Sequence, residues 1–199
     1  MGIVIPGALF LLGVFALLFP DLSQVTGAAN VSLGEFGIFL ILSYAAGHLV
    51  EAVGNAGENI GWSALGEMPT NWVLKEETNL ISSQQRELLK ERVRTLLGVE
   101  VMSLQSLDRK AWHPIVRQIY AHVMRSGKSD RIETFNGNYG LNRGLSAALL
   151  VLTVIGLVEQ RWLLALAFII AALVFAYRAY RFGVHYAREL FVQFLALDA

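Results

Sequence analysis

Residues 162–177 read WLLALAFIIAALVFAY, from Trp162 to Tyr177, without a single charged side chain. The run is too long for a buried strand, and it lacks the polar stripe of a surface helix. A helix that crosses a bilayer needs about 20 mainly apolar residues, and this run reaches that length with its flanks. Trp162 at one end, and Tyr177, Arg178, Tyr180 and Arg181 at the other, are the aromatic and basic types that collect at membrane interfaces. The segment reads as a membrane span.

Working outward, Glu159-Gln160-Arg161 makes a tight turn, and before it lies a second apolar run, Leu145 to Val158. Extended back to Tyr139 this run also reaches spanning length, with Arg143 near the boundary, where its side chain can snorkel toward water. The N-terminal region repeats the arrangement. One span runs from Ile3 to Pro20, with Pro6 in the first turn, where its missing amide hydrogen costs little. Pro20-Asp21 ends it, Asp21 to Ser32 connects without a basic residue, and another span runs from near Gly34 to about Val53. No basic n-region precedes the first run, and Val25 to Ala29 makes a poor cleavage site, so it reads as a span and not a signal peptide. Pro6 stands where a lipidation motif requires Ser or Thr.

The composition agrees. Of 199 residues 55% are hydrophobic and 16% charged, against about 25% charged in ordinary soluble domains, and the mean hydropathy is +0.50. The chain is therefore expected to be an all-α integral membrane protein. Four transmembrane helices carry a helical cytoplasmic domain between spans two and three. The expected divisions are a first transmembrane hairpin over 1–53, the helical cytoplasmic domain over 54–138, a second hairpin over 139–180 and an amphipathic cytoplasmic C-terminal helix over 181–199. Sixteen basic and sixteen acidic residues balance to a formal charge of zero, which argues against a nucleic-acid partner. There is no cysteine, so disulfides, thiolate nucleophiles and sulfur metal sites are excluded.

Basic residues set the orientation. Gly54 to Gly144 holds twelve Lys and Arg, the tail from Arg178 holds three, and the two opposite loops share only Arg161. Both termini and the middle domain are thus expected in the cytoplasm.

The middle segment reads as helical. Ser82 or Ser83 can cap a helix over Gln84 to Leu97 that Gly98 ends. Leu88, Leu89, Val93, Leu96 and Leu97 recur on it at helical spacing, and Arg86, Glu87, Lys90, Glu91, Arg92 and Arg94 fill the remaining surface. A second helix is expected from Pro114, in its first turn, to Arg125, with Ile115, Ile119, His122 and Val123 inward and Ser126-Gly127-Lys128 breaking it. Ser129 precedes a long helix that begins at Asp130 and becomes span three. Phe182 to Leu197 is amphipathic through Phe182, Tyr186, Leu190 and Phe194 and is expected to pack on the middle domain.

The most informative constellation is a polar stripe: Tyr44, His48, Glu51, Asn55, Glu58 and Asn59, on one side of a continuous helix. An ionisable group inside a bilayer costs about 2.5–3.5 kcal/mol on insertion scales, so His48 must face protein or water. Gly47, Gly54 and Gly57 permit close helix approach beside it. Hydrogen bonding to neighbouring helices is the simplest explanation, and a pore lining, an active or metal site, and ligand or lipid recognition are the alternatives. His48 and Glu51 do not make the His-Glu-x-x-His pattern of a zinc protease. Trp62, Glu67, Pro69, Trp72, Glu76 and Glu77 give the start of the domain an acidic, aromatic character. The acid pair Glu76-Glu77 could serve hydrolysis or bind cations, but adjacent helical residues do not face one another, so it reads better as a solvated charge run. A second cluster precedes span three. Its Arg131, Asn136, Asn142 and Arg143 are placed for lipid headgroups or an anionic ligand, although helix packing and positive-inside anchoring explain them with fewer assumptions. His113, His122 and His185 share no ligand spacing, and neither a phosphate loop nor a nucleophile elbow is present.

This order of elements resembles small bacterial membrane proteins with two helical hairpins and an intervening cytoplasmic domain. The resemblance implies the bacterial cytoplasmic (inner) membrane. The leading functional expectation is an oligomeric membrane effector, channel-like or signalling, controlled through its cytoplasmic domain by a cytosolic protein or small ligand. Its standing partners are the bilayer and other copies of itself. The alternatives are a membrane-embedded enzyme or metal-binding protein using His48, Glu51 and Glu58, and a structural scaffold. No cofactor is implied and no metal site is assigned.

Overall fold

The computed structural model describes residues 2–18, 32–76, 78–127 and 129–197. The Pro20-Asp21 stop, the connector 21–31, Glu77 and Lys128 lie outside the described residues. Every regular element among those described is helical: α1 (Val4–Leu18), α2 (Leu33–Ala64), α3 (Ser83–Leu97), α4 (Arg109–Arg125), α5 (Asp130–Val158) and α6 (Trp162–Leu195), with short 3-10 turns at Pro69–Leu74 and Leu104–Ser106.

Three of these helices, α2, α5 and α6, are long and apolar enough to cross a membrane, and α1 is a shorter apolar helix. At about 1.5 Å per residue the 29 residues of α5 extend roughly 44 Å, against about 30 Å of hydrocarbon. The protein is thus a helical, multi-pass membrane protein. α2 runs 32 residues to Ala64, continuing past Val53 as the Tyr44-to-Asn59 spacing requires, because no proline interrupts its second half and its side chains keep a packed face.

The chain divides into two compact units. The first comprises 1–61 and 137–180. Its interior is built from Leu17, Leu149, Leu152 and Ala172, with Phe10, Phe168 and Phe175 around them, and from Val50, Ala147 and Ala148. Small residues bring its helices close. A Cβ on Gly7 would collide with the Ser43 carbonyl oxygen, and one on Gly47 would collide with that of Ile3. Its outer surface is apolar: Leu49 and Ile41 are 70% exposed and Leu163 84%. Contiguous surface of this kind marks a face made for lipid or another protein. The turn between α5 and α6 is tight as expected, with Gln160 in the left-handed region at φ 57° and the Arg161 amide donating to the Gly156 carbonyl at 2.8 Å.

The second unit comprises 62–136 and 181–199 and has an ordinary hydrophobic core. Leu89, Val93, Trp112, Ile119, Val123, Ile132, Leu190, Phe191 and Phe194 are buried in it. Trp112 stacks on Phe191 with ring centroids 6.1 Å apart and donates its indole N–H to the Thr70 carbonyl at 2.8 Å. The end of α6 thus belongs to this core, through Ala187, Leu190, Phe191 and Phe194, while Phe182 and Tyr186 are half-buried. Arg188 ties it further, donating to the carbonyls of Leu80 at 3.1 Å and Asn79 at 3.2 Å.

α3 starts as its sequence demands. Ser82 caps it and Gln85 reaches back in a reciprocal capping box, and Gly98 ends it at φ 65°. Its inward face differs from expectation: Arg86 joins Leu89 and Val93 inside, and Leu88 points out. α4 begins five residues earlier than Pro114, at Arg109, because the Asp108 carboxylate accepts the Ala111 amide at 2.7 Å. That cap initiates the helix and brings Trp112 onto the buried face, and Pro114 is absorbed inside it. α5 runs unbroken through Gly137, Gly140 and Gly144.

Candidate functional site

The polar stripe lies on α2, where one continuous helix keeps its members on adjoining turns. The packed face of α2 is formed by Ser43, Ala46, Gly47, Val50 and Gly54, all buried. Glu51 and Glu58 border that face and are half-buried. Tyr44, His48, Asn55 and Asn59 continue around the helix and are exposed. Beyond them Leu42, Leu49 and Val53 form the lipid-type face. The stripe is therefore an edge between packed and apolar surfaces.

Its two carboxylates converge on Arg143 of α5. The Arg143 Nη1 donates to Glu58 Oε2, and its Nη2 lies 3.8 Å from Glu51 Oε1. The guanidinium also sits over the Tyr139 ring, 5.5 Å from its centroid. Gly54 makes room, since a Cβ there would meet the Arg143 Cγ at 3.5 Å. Side-chain exposures of 20% for Arg143 and 15% for Glu58 place the pair largely out of solvent, where removing one partner strands the other charge. His48 continues the line: its Nδ1 is 3.8 Å from Glu51 Oε2, and Tyr44 meets it edge-on at 4.6 Å.

Asn142, one turn from Tyr139, is buried. It donates to the Asn138 carbonyl at 2.7 Å and accepts from Arg178 Nε of α6 at 3.3 Å. Beside Arg143 is a cleft of about 170 Å³, walled by Pro6, Gly47, Glu51, Gly140, Arg143 and Gly144, among others. The remaining two candidates of the second cluster belong to the other unit. Arg131 lies 3.7 Å from Glu189 with its guanidinium over Phe135, and Asn136 is exposed.

The structure thus regroups the candidates. Arg143, read from sequence with the headgroup cluster, joins the stripe. No group of three or more His, Asp or Glu is gathered for a metal ion among the described residues, and the carboxylates that a metal or general-base role requires are turned to a guanidinium. A Cβ on Gly57 would have nothing within 4 Å of it, so close approach is served by Gly47 and Gly54 alone of the three. His185 stacks on Phe135 at 5.6 Å. Burial pulls its pKa below the ordinary imidazole value, and Arg181 and Arg188 push the same way. No protein-family model, curated protein or solved structure matches the chain.

Proposed function

We propose that this chain is a homo-oligomeric membrane effector, channel-like or signalling, held in a bacterial cytoplasmic membrane by four spans. Both termini and residues 54–138 lie on the cytoplasmic side, and 1–53 and 139–180 form the two hairpins. The observation that carries this reading is the exposed polar edge of α2. Tyr44 is 52% exposed and the His48 side chain 49%, beside an apolar face on a membrane-length helix. Polar and ionisable groups at that depth face protein or water, not lipid. Within one chain the His48 ring meets Tyr44 and Glu51 of its own helix and is otherwise half open, so a second copy or a shared wet path supplies the remaining surroundings.

Two further features support the reading. The Glu51–Arg143–Glu58 network fixes the rotation of α2 against α5, which presents the edge outward in a defined register. The basic residues flanking α5 and following Tyr177 favour the cytoplasmic orientation. In this arrangement the edge of α2 lines or gates the path between copies, and the soluble-type core of the second unit receives the controlling partner.

Native mass spectrometry from lipid nanodiscs tests the proposal, combined with ion flux from vesicles containing the purified chain. The expected mass is a multiple of 21.9 kDa, reduced toward the single chain by His48→Leu with Asn55→Leu. A single-chain mass across lipid compositions overturns the proposal. Flux separates the channel-like form from the signalling one.

A further inference from the structure

Among the described residues of the second unit, Arg86 is the one buried charged residue, while the half-buried Arg92 also keeps one guanidinium nitrogen from solvent without a partner. Arg86 sits on α3 three residues before Leu89 and seven before Val93, the two fully buried residues of that face, and is itself only 8% exposed. Its Nη1 donates to the Glu76 carbonyl at 2.9 Å, a neutral acceptor. Its Nε is buried without a hydrogen-bond partner, and no carboxylate among the described residues lies within ion-pair distance of it. Holding a guanidinium out of water is costly, and the unpartnered Nε is a charged donor that a ligand can satisfy.

Arg86 also lines a polar pocket. Its other walls are Glu87 and Lys90 of α3 and the turn Ser103, Leu104 and Gln105, and its volume is about 60 Å³. A single water needs roughly 10–15 Å³ measured in this way, so the pocket has room for a group of several heavy atoms. Two cations, a hydroxyl and a side-chain amide surround it, with Glu87 as the one opposing charge. A guanidinium and an ammonium together with a neutral donor make the recognition chemistry of an oxyanion.

We propose that this pocket of the second unit binds a phosphate-type oxyanion, free or carried on a larger molecule, with Arg86 and Lys90 as its cationic ligands and the Gln105 side-chain amide as a neutral donor, held in place by the Ser103 hydroxyl, which donates to Gln105 Oε1. Glu87 at the rim limits the charge the pocket accepts and favours a single phosphate group over a more highly charged one. Binding requires nothing of the membrane helices and is read independently of the oligomer.

The test uses the full chain in nanodiscs of zwitterionic lipid, titrated with inorganic phosphate and followed by thermal unfolding of the second unit through tryptophan fluorescence. Chloride at matched ionic strength is the control. Phosphate is expected to raise the transition where chloride does not, Lys90→Gln to weaken the apparent affinity about tenfold, and Glu87→Gln to strengthen it. Arg86→Met is expected to abolish the response; because that change also touches the core, the two rim variants carry the decision. A parallel arm replaces the free ion with phosphatidic acid in the nanodisc. A shift produced by the lipid alone assigns the oxyanion to a headgroup, and one produced by free phosphate assigns it to a soluble ligand. No specific shift in either arm, or equal shifts in the parent and both rim variants, overturns the proposal.

Discussion

At the scale of single residues the membrane unit hinges on Arg143. Replacing it with Leu leaves Glu58, whose side chain is only 15% exposed, without its counter-charge and takes from the more exposed Glu51 its neighbouring cation. The expected cost is about 3 kcal/mol or more, seen as a lower thermal midpoint in nanodiscs, with Glu58→Gln added to the same chain recovering part of the loss. A midpoint that does not move would mean that the network contributes nothing. His185 makes a pH prediction in the other unit. Its pKa is depressed in the fold, so its contribution to stability is complete above the unfolded value of about 6.5. That contribution is lost as pH falls below it, through the lower folded value. Between pH 7.5 and 5.5 the second unit should lose resistance to denaturant, and His185→Gln should flatten that slope. An equal slope in both chains would contradict the assignment. Sequence made Arg143 conspicuous as a charge at the edge of an apolar run. It could not supply the partner, because Glu58 is 85 positions away and the two meet only when α2 and α5 pack. Arg86 was hidden for a different reason: it lies in a charged run, and only its register with Leu89 and Val93 marks it as inward.

At the scale of elements, local chemistry decided most boundaries. The capping box of Ser82 and Gln85 and the terminal Gly98 are readable letter by letter, and α3 has the limits they set. α4 is the counter-example, since Pro114 reads as a beginning, yet Asp108 captures the chain earlier and Trp112 rewards it with burial. Asp108→Ala should therefore cost about 1 kcal/mol, measured as a shift in the unfolding midpoint of the second unit; no shift would leave Pro114 as the true start. The approach of α1 to α2 offers a sharper test. At Gly7 and Gly47 the added carbon would fall against backbone atoms, which cannot swing aside as a side chain does. Gly47→Leu should push the two helices apart and lower the thermal midpoint of the membrane unit, while Gly57→Leu, in open space, should leave it unchanged. Equal effects at the two positions would contradict the packing described.

At the scale of the whole molecule, the sequence announces the membrane through uniform apolar runs such as residues 162–177, where lipid replaces a folded core as the solvent. It also separates them from a middle segment with ordinary periodicity. The crossing of α5 from one compact unit into the other is legible too, because an unbroken helical run from Asp130 turns from polar to apolar along its length; the 181–199 segment likewise declares its packing on the middle segment through its amphipathic pattern. The sequence does not state what covers the edge of α2, which the proposed function assigns to other copies or a shared wet path. The chain has no native cysteine, so single cysteines can be placed along that helix without background. The decisive measurement is oxidative crosslinking and aqueous thiol labelling in native membranes, comparing Tyr44→Cys, His48→Cys and Asn55→Cys with Leu42→Cys, Leu49→Cys and Val53→Cys. The first set is expected to crosslink between copies or react with a water-soluble maleimide, and the second to do neither. Labelling and crosslinking confined to the second set, or absent from both, would contradict the proposed function.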